Sequence, residues 1–361
     1  MSNIHKGFYM SKQTASLHIV RRYGKVGGME RYVWELTHAL SQQNQTVTIL
    51  CEEAFDTPSS AIKVIELGTI KPKPRWISML RFSANVSNFI KQHPEIKNSH
   101  IIHSHERTAV HQVTTFHGPP IKNRKKSIFD CLTPRLLAWD YLEERELCAT
   151  QVQRILPNST LISDQLIKHY PKAARRMQAP AYPGVSDSFF SIPKKTPGKT
   201  VGFIGTEWKR KGLEFAVTII EKRIQNDDEI HLIVAGPNPN EIQHLFSSWP
   251  AKNYSLIGWI KTEDFLSQID LLIHPAHTEP FGMVIAEANA AGKPVIISKN
   301  CGIKSLITQE MGEVIPLEDK NRWDLAIDTY LKKAPTSSKL NLTWTALAIQ
   351  HIHLYMDIKP S

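Results

Sequence analysis

Two glutamates bracket the start of an apolar segment in "HTEPFGMVIAEANAAGKPVI", residues 277–296. The preceding "DLLIHPA" reads as a buried strand and "HTEP" as its exit loop. Phe281-Gly282-Met283 then opens a helix that Gly292 and Pro294 stop. Free backbone N–H groups at a helix start, aligned with the helix dipole, attract an anion such as phosphate. Gly282 is expected to keep that approach unobstructed. Glu279, just ahead of the anion site, is poorly placed for phosphate itself and well placed to accept hydrogen bonds from hydroxyls attached to it. Glu287, about one and a half turns inside the helix, could reach a second polyol such as a ribose. Together they would hold the two ends of a sugar–diphosphate–nucleoside. The same residues also fit a plainer arrangement, an acidic turn that complements the dipole plus one exposed glutamate.

Three further stretches carry groups of the right chemistry. "GTEWKRKGLEF" (205–215) leaves a strand and opens a helix, setting Arg210 and Lys211 before Gly212. Two fixed cations at such a turn suit a diphosphate leaving group. A solvated basic face is the alternative, and the position at a strand end in the same half as the glutamates favours the diphosphate. "RRYGKVGGMER" (21–31) places Gly27 and Gly28 at a strand-to-helix turn but is not G-x-G-x-x-G, and only Glu52 or Glu53 follows as a ribose-binding acid. It is either a close backbone approach to phosphate or sugar, or a plain tight turn. "HSHERTAVHQVTTFHG" contains His103, His105, His111 and His117. H-x-H on a strand could ligate a metal, but alternation also turns both rings to one face as cleft or core histidines, and no Asp, Glu or Cys clusters with them. His117, before Gly118-Pro119-Pro120, ends a strand and is the histidine expected to enter a cleft. The chain has no D-x-D, P-loop or G-x-S-x-G, which argues against a diphosphate-bridging metal and against P-loop or α/β-hydrolase chemistry.

These residues must be positioned by something larger than one core. A chain of 361 residues implies two domains. "SLHIV", the glycine turn, a helix carrying Met29, Val33, Leu36 and Leu40, and "QTVTILCE" form a βαβ opening. Strands follow at "AIKVIEL", "SHIIHSH", "HQVTTFHG" and "RILPNS". The pattern restarts after "SIPKKTPGK" with "TVGFIG", "IHLIVAG", "YSLIG", "DLLIHPA" and "KPVIIS". The expected organisation is α/β, with two Rossmann-like domains facing across a cleft: residues 1–190, a linker at 191–199, and residues 200–340. Residues 341–361 form a last helix, with Trp344, Leu347 and Leu354 on its apolar side, packing back toward the first domain. No sequence repeat relates the halves. Cys51, Cys131, Cys148 and Cys301 are scattered, which fits neither a zinc module nor a disulfide framework and suits a reducing cytosol. Residues 1–20 lack the apolar run of a signal peptide, and no window approaches a membrane span.

Taken together, "GKVGGMER", "FHG", Asn158-Ser159, "YPGVSDSFF", "KRKG", and above all "EPFGMVIAE" with "AGKPVI", resemble the retaining glycosyltransferases of family 4, which have the GT-B fold. The resemblance runs from about residue 15 to the end, and is strongest to bacterial lipopolysaccharide-core glucosyltransferases. It implies that Glu279 contacts the transferred sugar near the reacting carbon and that Glu287 holds the nucleotide ribose. Arg210 and Lys211 neutralise the diphosphate, while the backbone of Phe281, Gly282 and Met283 faces sugar and phosphate. Gly28 approaches the diphosphate, His117 the donor sugar, Glu30 the acceptor side, and the base lies near Trp259. Thr206 stands where many members have arginine, so Arg210 does that work here, and "GVSD" replaces the commoner Gly-Val-Asp. The implied reaction uses a nucleotide-sugar, most simply a UDP-hexose such as UDP-glucose, with no metal or other cofactor, and a lipid-linked or glycan acceptor.

The formal charge of +10 asks for an anionic partner. Basic and apolar residues mix in 71–92 (Trp76, Met79, Leu80, Phe82) and 121–142 (Phe129, Leu136, Trp139). These segments either dock a cytoplasmic enzyme on the anionic inner face of the membrane or are core helices with solvated basic faces. Two other functions fit less well. A GT-B epimerase would consume the same donor without an acceptor, and a nucleic-acid-binding protein would use the charge but lacks a recognisable module.

Overall fold

The computed structural model describes residues 14–123, 133–193, 198–226, 229–332, 340 and 342–358. Its strands are β1 Ala15–Ile19, β2 Arg22–Tyr23, β3 Thr46–Cys51, β4 Glu53–Ala54, β5 Ile62–Glu66, β6 Ile101–Ser104, β7 Val113–Phe116, β8 Arg154–Pro157, β9 Thr200–Ile204, β10 His231–Ala235, β11 Tyr254–Gly258, β12 Leu271–His274, β13 Val295–Ser298 and β14 Gly312–Ile315. The α-helices are α1 Gly28–Gln42, α2 Arg75–Gln92, α3 Pro94–Ser99, α4 Pro134–Cys148, α5 Thr160–His169, α6 Trp208–Lys211, α7 Leu213–Gln225, α8 Pro239–Ile242, α9 Thr262–Gln268, α10 Met283–Ala290, α11 Lys320–Leu331 and α12 Trp344–Met356. The chain separates into two compact units. Unit 1 comprises Met1–Pro157, Gln165–Ala181 and Trp344–Ser361; unit 2 comprises Asn158–Asp164 and Tyr182–Thr343.

Unit 1 is built on a parallel sheet of order β5-β3-β1-β6-β7-β8, with β2 and β4 paired beside it. The chain winds outward from β1 to β5 and then returns to the other side of β1 for β6, so the winding reverses between β1 and β6. On one face Leu17, Ile19 and Leu50 pack against Met79, Phe82 and Val86 of α2. Met79 and Phe82 therefore belong to the core rather than to an outer basic face. The other face is polar, because alternation in β1 and β6 turns His18 and His103 there, paired in register across the two strands. Helix α12 covers this face with Trp344, Leu347, Ala348, His351, Ile352 and Tyr355. Leu354 stays partly exposed, since the buried stripe runs through His351 and Tyr355 instead. Helices α1 and α12 pack together, with the Tyr32 and Trp344 rings edge to face at 5.9 Å.

Unit 2 repeats the plan with order β11-β10-β9-β12-β13-β14, reversing between β9 and β12. Its strands are near-continuous apolar runs, as parallel strands covered on both faces require. Phe203, Leu213, Ile220, Trp323 and Ile327 fill one side of the sheet. Strand β14, "GEVI", is an addition to the strands read from sequence, a short half-buried edge. The turn between α6 and α7 needs Gly212, which sits at φ +83°, where a Cβ would lie 2.0 Å from the Pro275 carbonyl oxygen.

Gly212→Ala is expected to destabilise unit 2 by about 2–4 kcal/mol, from left-handed strain and overpacking against that carbonyl. Urea unfolding followed by tryptophan fluorescence measures it. An unchanged midpoint would show that the turn relaxes freely.

Candidate active site

The winding of unit 2 brings two loops side by side. Strands β9 and β12 are neighbours, and ligands in such sheets bind beyond the carboxyl ends of the strands where the winding reverses. The loop after β9 runs into α6, which carries Arg210 and Lys211, and the loop after β12 carries Glu279. The His277 N–H donates to the Arg210 carbonyl at 2.9 Å, tying the loops together. Lys211 folds back across Gly205, where a Cβ would meet its Cδ at 2.3 Å.

One carboxylate oxygen of Glu279 gathers the cluster. Arg210 Nη1 donates to Oε2 at 3.5 Å, Lys211 Nζ lies 3.9 Å from it, and the fully buried His274 meets it through Nε2 at 3.2 Å. Arg210 also donates to the Thr278 carbonyl at 2.5 Å and to Glu207 Oε2 at 2.6 Å. Burial alone would raise the Glu279 carboxyl; the His274 hydrogen bond and the Lys211 and Arg210 charges outweigh this and bring it down to about 2. Burial keeps His274 below its ordinary value. The backbone holding Glu279 is equally fixed. Its N–H donates to the Asn300 carbonyl at 3.1 Å, and its carbonyl accepts from the Gly302 N–H at 2.8 Å. The Ser159 hydroxyl donates to the Pro280 carbonyl at 2.6 Å.

Helix α10 follows with Gly282 at its N-cap and no side chain capping it, which leaves donors available at its start. Gly282 is there for a different reason from the one expected. Its φ is +107°, and a Cβ would strike Ile285 Cδ1 at 2.6 Å, within the protein and not in open space. Phe281 is in the core at 3 % exposure, so only its backbone can face a ligand, and Met283 is partly buried. Glu287 is also buried, at 3 %, which removes the plainer arrangement of an exposed glutamate. Trp259, in the loop after β11, is 78 % exposed. His274 was not singled out by the sequence reading, because its strand reads as ordinary core. Its place at the strand's carboxyl end, shortly before Glu279, is the signal that could have found it.

Unit 1 places Gly28, Glu30 and His117 around its own reversal point. A Cβ on Gly28 would meet nothing within 4 Å, as close backbone approach requires. Glu30 is buried and accepts from Arg22 at 2.5 Å. A pocket of about 680 Å³ is lined by Arg22, Glu30, His105, Arg107, His117 and Trp139 among others. Behind it the H-x-H pair divides. His103 bonds Tyr355 and Thr115 in the core, while His105 reaches the pocket wall. His111 is structural, bonded to Thr108 and to the Glu146 carbonyl. The ligand atoms of His18, His103 and His105 lie within 4.8 Å of one another, close enough to hold a metal ion. In the structure they contact neighbouring side chains.

Residues 26–183 match the family model described as Glycosyltransferase Family 4, and residues 198–333 match the one described as Glycosyl transferases group 1. The chain belongs to glycosyltransferase family 4. It is 30% identical over 173 residues to the GPI3 subunit of phosphatidylinositol N-acetylglucosaminyltransferase from Saccharomyces cerevisiae (strain YJM789), covering 43% of this chain and 38% of that one. It is 24% identical over 145 residues to the lipopolysaccharide glucosyltransferase WaaG of Escherichia coli (strain K12), covering 39% and 38%. The matched region is thus well under two thirds of either relative. The crystal structure of WaaG superposes with a TM-score of 0.73 at 19% identity, covering 94% of this chain and 95% of that one. Anabaena HepE in complex with UDP and glucose superposes at 0.65 and 15%, covering 96% and 100%. At these identities the likeness is one of fold, and this family 4 chain has the two-domain α/β architecture of GT-B proteins.

Buried imidazoles give unit 1 a definite pH response. Burial lowers His18 to about 3, His111 and His351 to about 4, and His103 and His105 well below the ordinary value. The unfolded chain takes up these protons near pH 6.5 and the folded chain does not, so stability falls as pH drops below about 6.5. Burial raises Glu106 and Glu146 to about 7, which acts in the opposite sense, but the histidines outnumber them. The unfolding free energy of unit 1 should fall from pH 7 to pH 5 more steeply than about 1.4 kcal/mol per pH unit, the slope for one proton. Urea titrations across that range test this, and a flat profile would contradict it.

Proposed function

We propose that this protein transfers a hexose from a nucleotide-diphospho-sugar, UDP-glucose or another UDP-hexose, to a hydroxyl of a lipid-linked glycan such as a lipopolysaccharide core, with retention and without metal. The observation that carries the reading is the gathering of Arg210 and Lys211 on Glu279 at the reversal point of unit 2, directly before the uncapped start of α10. A sugar's hydroxyls would be accepted by Glu279, and its diphosphate by the two cations and the helix start, with Glu287 and Trp259 assigned to the nucleoside. As the acceptor oxygen bonds to the anomeric carbon, the bond to the diphosphate breaks and the acceptor's proton passes to the leaving phosphate oxygen. Arg210 and Lys211 supply the positive charge that the leaving diphosphate needs. The unit 1 pocket, with Glu30 in its wall, is assigned to the acceptor, and His117, in the same wall, to the transferred sugar.

The names of the relatives support the acceptor class, since WaaG is a lipopolysaccharide enzyme and GPI3 acts on phosphatidylinositol. HepE binds UDP-glucose, which supports the donor. Among the described residues no helix is long and apolar enough to cross a membrane. Peripheral attachment at the cytoplasmic face is part of this reading. Leu137 and Tyr141, 55 % and 56 % exposed on α4, are the apolar groups offered for it. Met79, Phe82 and Leu136 are buried, and Phe129 lies outside the described residues.

Thermal stabilisation across UDP-, GDP- and ADP-sugars, with and without EDTA, is the direct test. A shift with one base class that survives EDTA is expected, and no shift with any would overturn the donor assignment. Release of epimerised sugar without an acceptor would turn the reading into an epimerase.

Two variants divide the roles. Glu279→Gln should lower kcat far more than donor affinity. Lys211→Ala should cost about 2–4 kcal/mol of transition-state stabilisation, as loss of one fixed donor to a developing charge. Steady-state kinetics on both measures this, and wild-type values would remove these residues from the site.

A further inference from the structure

We propose that His105 is a positioning residue for His117, fixing its ring and deciding which of its nitrogens carries the proton, with His18 as the closed end of a three-ring chain. The consequence for turnover rests on the transferase reading; the geometry does not.

The chain consists of two contacts between ring nitrogens. His18 Nδ1 lies 3.0 Å from His105 Nε2, and His105 Nδ1 lies 3.1 Å from His117 Nε2. Each contact needs one N–H and one lone pair, and a neutral imidazole has one of each. Burial keeps His18 and His105 neutral, and desolvation keeps the partly exposed His117 neutral as well. The protons can therefore be ordered in only two ways. Either each ring donates from Nδ1 toward His117, or each donates from Nε2 toward His18.

His18 decides between them. Its Nε2 is buried with no hydrogen-bond partner among the described residues. In the order running toward His18, that atom would be an orphaned N–H; in the order running toward His117, it is an unused lone pair. Orphaned buried N–H groups are the rarer and costlier defect. The protons thus run from His18 to His105 to His117. His117 accepts at Nε2 and carries its proton at Nδ1.

His105 can impose this because it cannot turn. The His103 ring stacks on it at 4.4 Å, and His103 is itself held through Nδ1 by the Tyr355 hydroxyl at 2.6 Å and through Nε2 by Thr115 at 2.8 Å. The His18 ring lies against it as well, near-parallel at 5.4 Å. The Tyr32 ring meets His117 edge-on at 4.7 Å. His117, which lines the same pocket as His105, is then an N–H donor at Nδ1 and not a base at Nε2.

The test is the tautomer of His117 in the full-length protein, read from long-range ¹H–¹⁵N spectra of histidine-labelled enzyme and assigned by loss of the signal in His117→Gln. A protonated Nδ1 is expected in the wild type. His105→Phe, which keeps the ring packing, should release His117 toward the Nε2–H form. It should also lower kcat about tenfold, the loss of roughly one hydrogen bond, with donor KM nearly unchanged. His105→Asn, whose amide can donate from near the Nδ1 position, should recover part of both. A protonated Nε2 at His117 in the wild type overturns the proposal. So does a folded His105→Phe with unchanged tautomer and kcat, and so does one equivalent of metal bound to His18, His103 and His105. If the variants do not fold, the wild-type spectrum alone decides. If the wild type transfers no sugar, the functional reading fails while the spectrum still tests the chain.

Discussion

Both sheets are wound outward from a central strand in one direction and then in the other, and that winding is the constraint on which the sites depend. Where it reverses, the crossovers leave on opposite sides and a gap opens at the carboxyl edge. In unit 2 the reversal lies between β9 and β12, so whatever follows those two strands is drawn together. Arg210 and Glu279, 69 residues apart, meet for this reason and not through any local motif. In unit 1 the same geometry draws the start of α1 toward the loops after β6 and β7, which hold His105 and His117.

The charge arrangement in unit 2 follows from burial and exchange. Glu279 is mostly shielded, so its bonds to His274 and the cations are made where screening is weak, and they hold it ionised. Glu207, the other partner of Arg210, has a side chain 65% exposed. Pairs with so exposed a partner contribute little. A diphosphate could take the place of Glu207 on Arg210 at small cost, while Glu279 stays fixed by its backbone bonds to Asn300 and Gly302. In the proposed transferase reading, the site would be held ready by one carboxylate and opened by releasing another.

Most of the strands were legible because parallel strands covered on both faces are uninterrupted apolar runs, as in "HLIVA" and "VIIS". Strand β14 was not, since an edge strand of four residues with a leading glycine and a half-buried glutamate has no such run. Lys211 and Arg210 were visible as a basic cluster at a strand exit, and Glu279 as an acid before a helix start. Their meeting was inferred from their shared half of the chain. His274 was hidden by its own strand, and the role of Gly282 was misread because its neighbour Ile285 was not on view. The histidine layer was half visible. H-x-H announced that His103 and His105 share a face, but His18 joins them only through the β1–β6 register, which sequence spacing does not encode.

That layer also explains why the two units, alike in plan, differ in character. Unit 2 packs apolar side chains on both faces of its sheet. Unit 1 gives up one face to imidazoles and hydroxyls, with Nε2 of His18 and of His351 left without partners among the described residues. Each such atom costs about 1–3 kcal/mol, and an apolar layer of the same volume would cost nothing of the kind. The stability must come from elsewhere, from the α2 face with Leu17, Phe82 and Val86 and from the closing of α12 over the layer. Helix α12 is accordingly matched to what it covers, since its buried stripe brings Tyr355 to bond His103 and His351 to stack on it at 5.5 Å. Among the described residues, His105 and His117 are the rings of the layer that line the pocket. The rings behind them are fully buried, so they act on a ligand through the orientation they impose on those two.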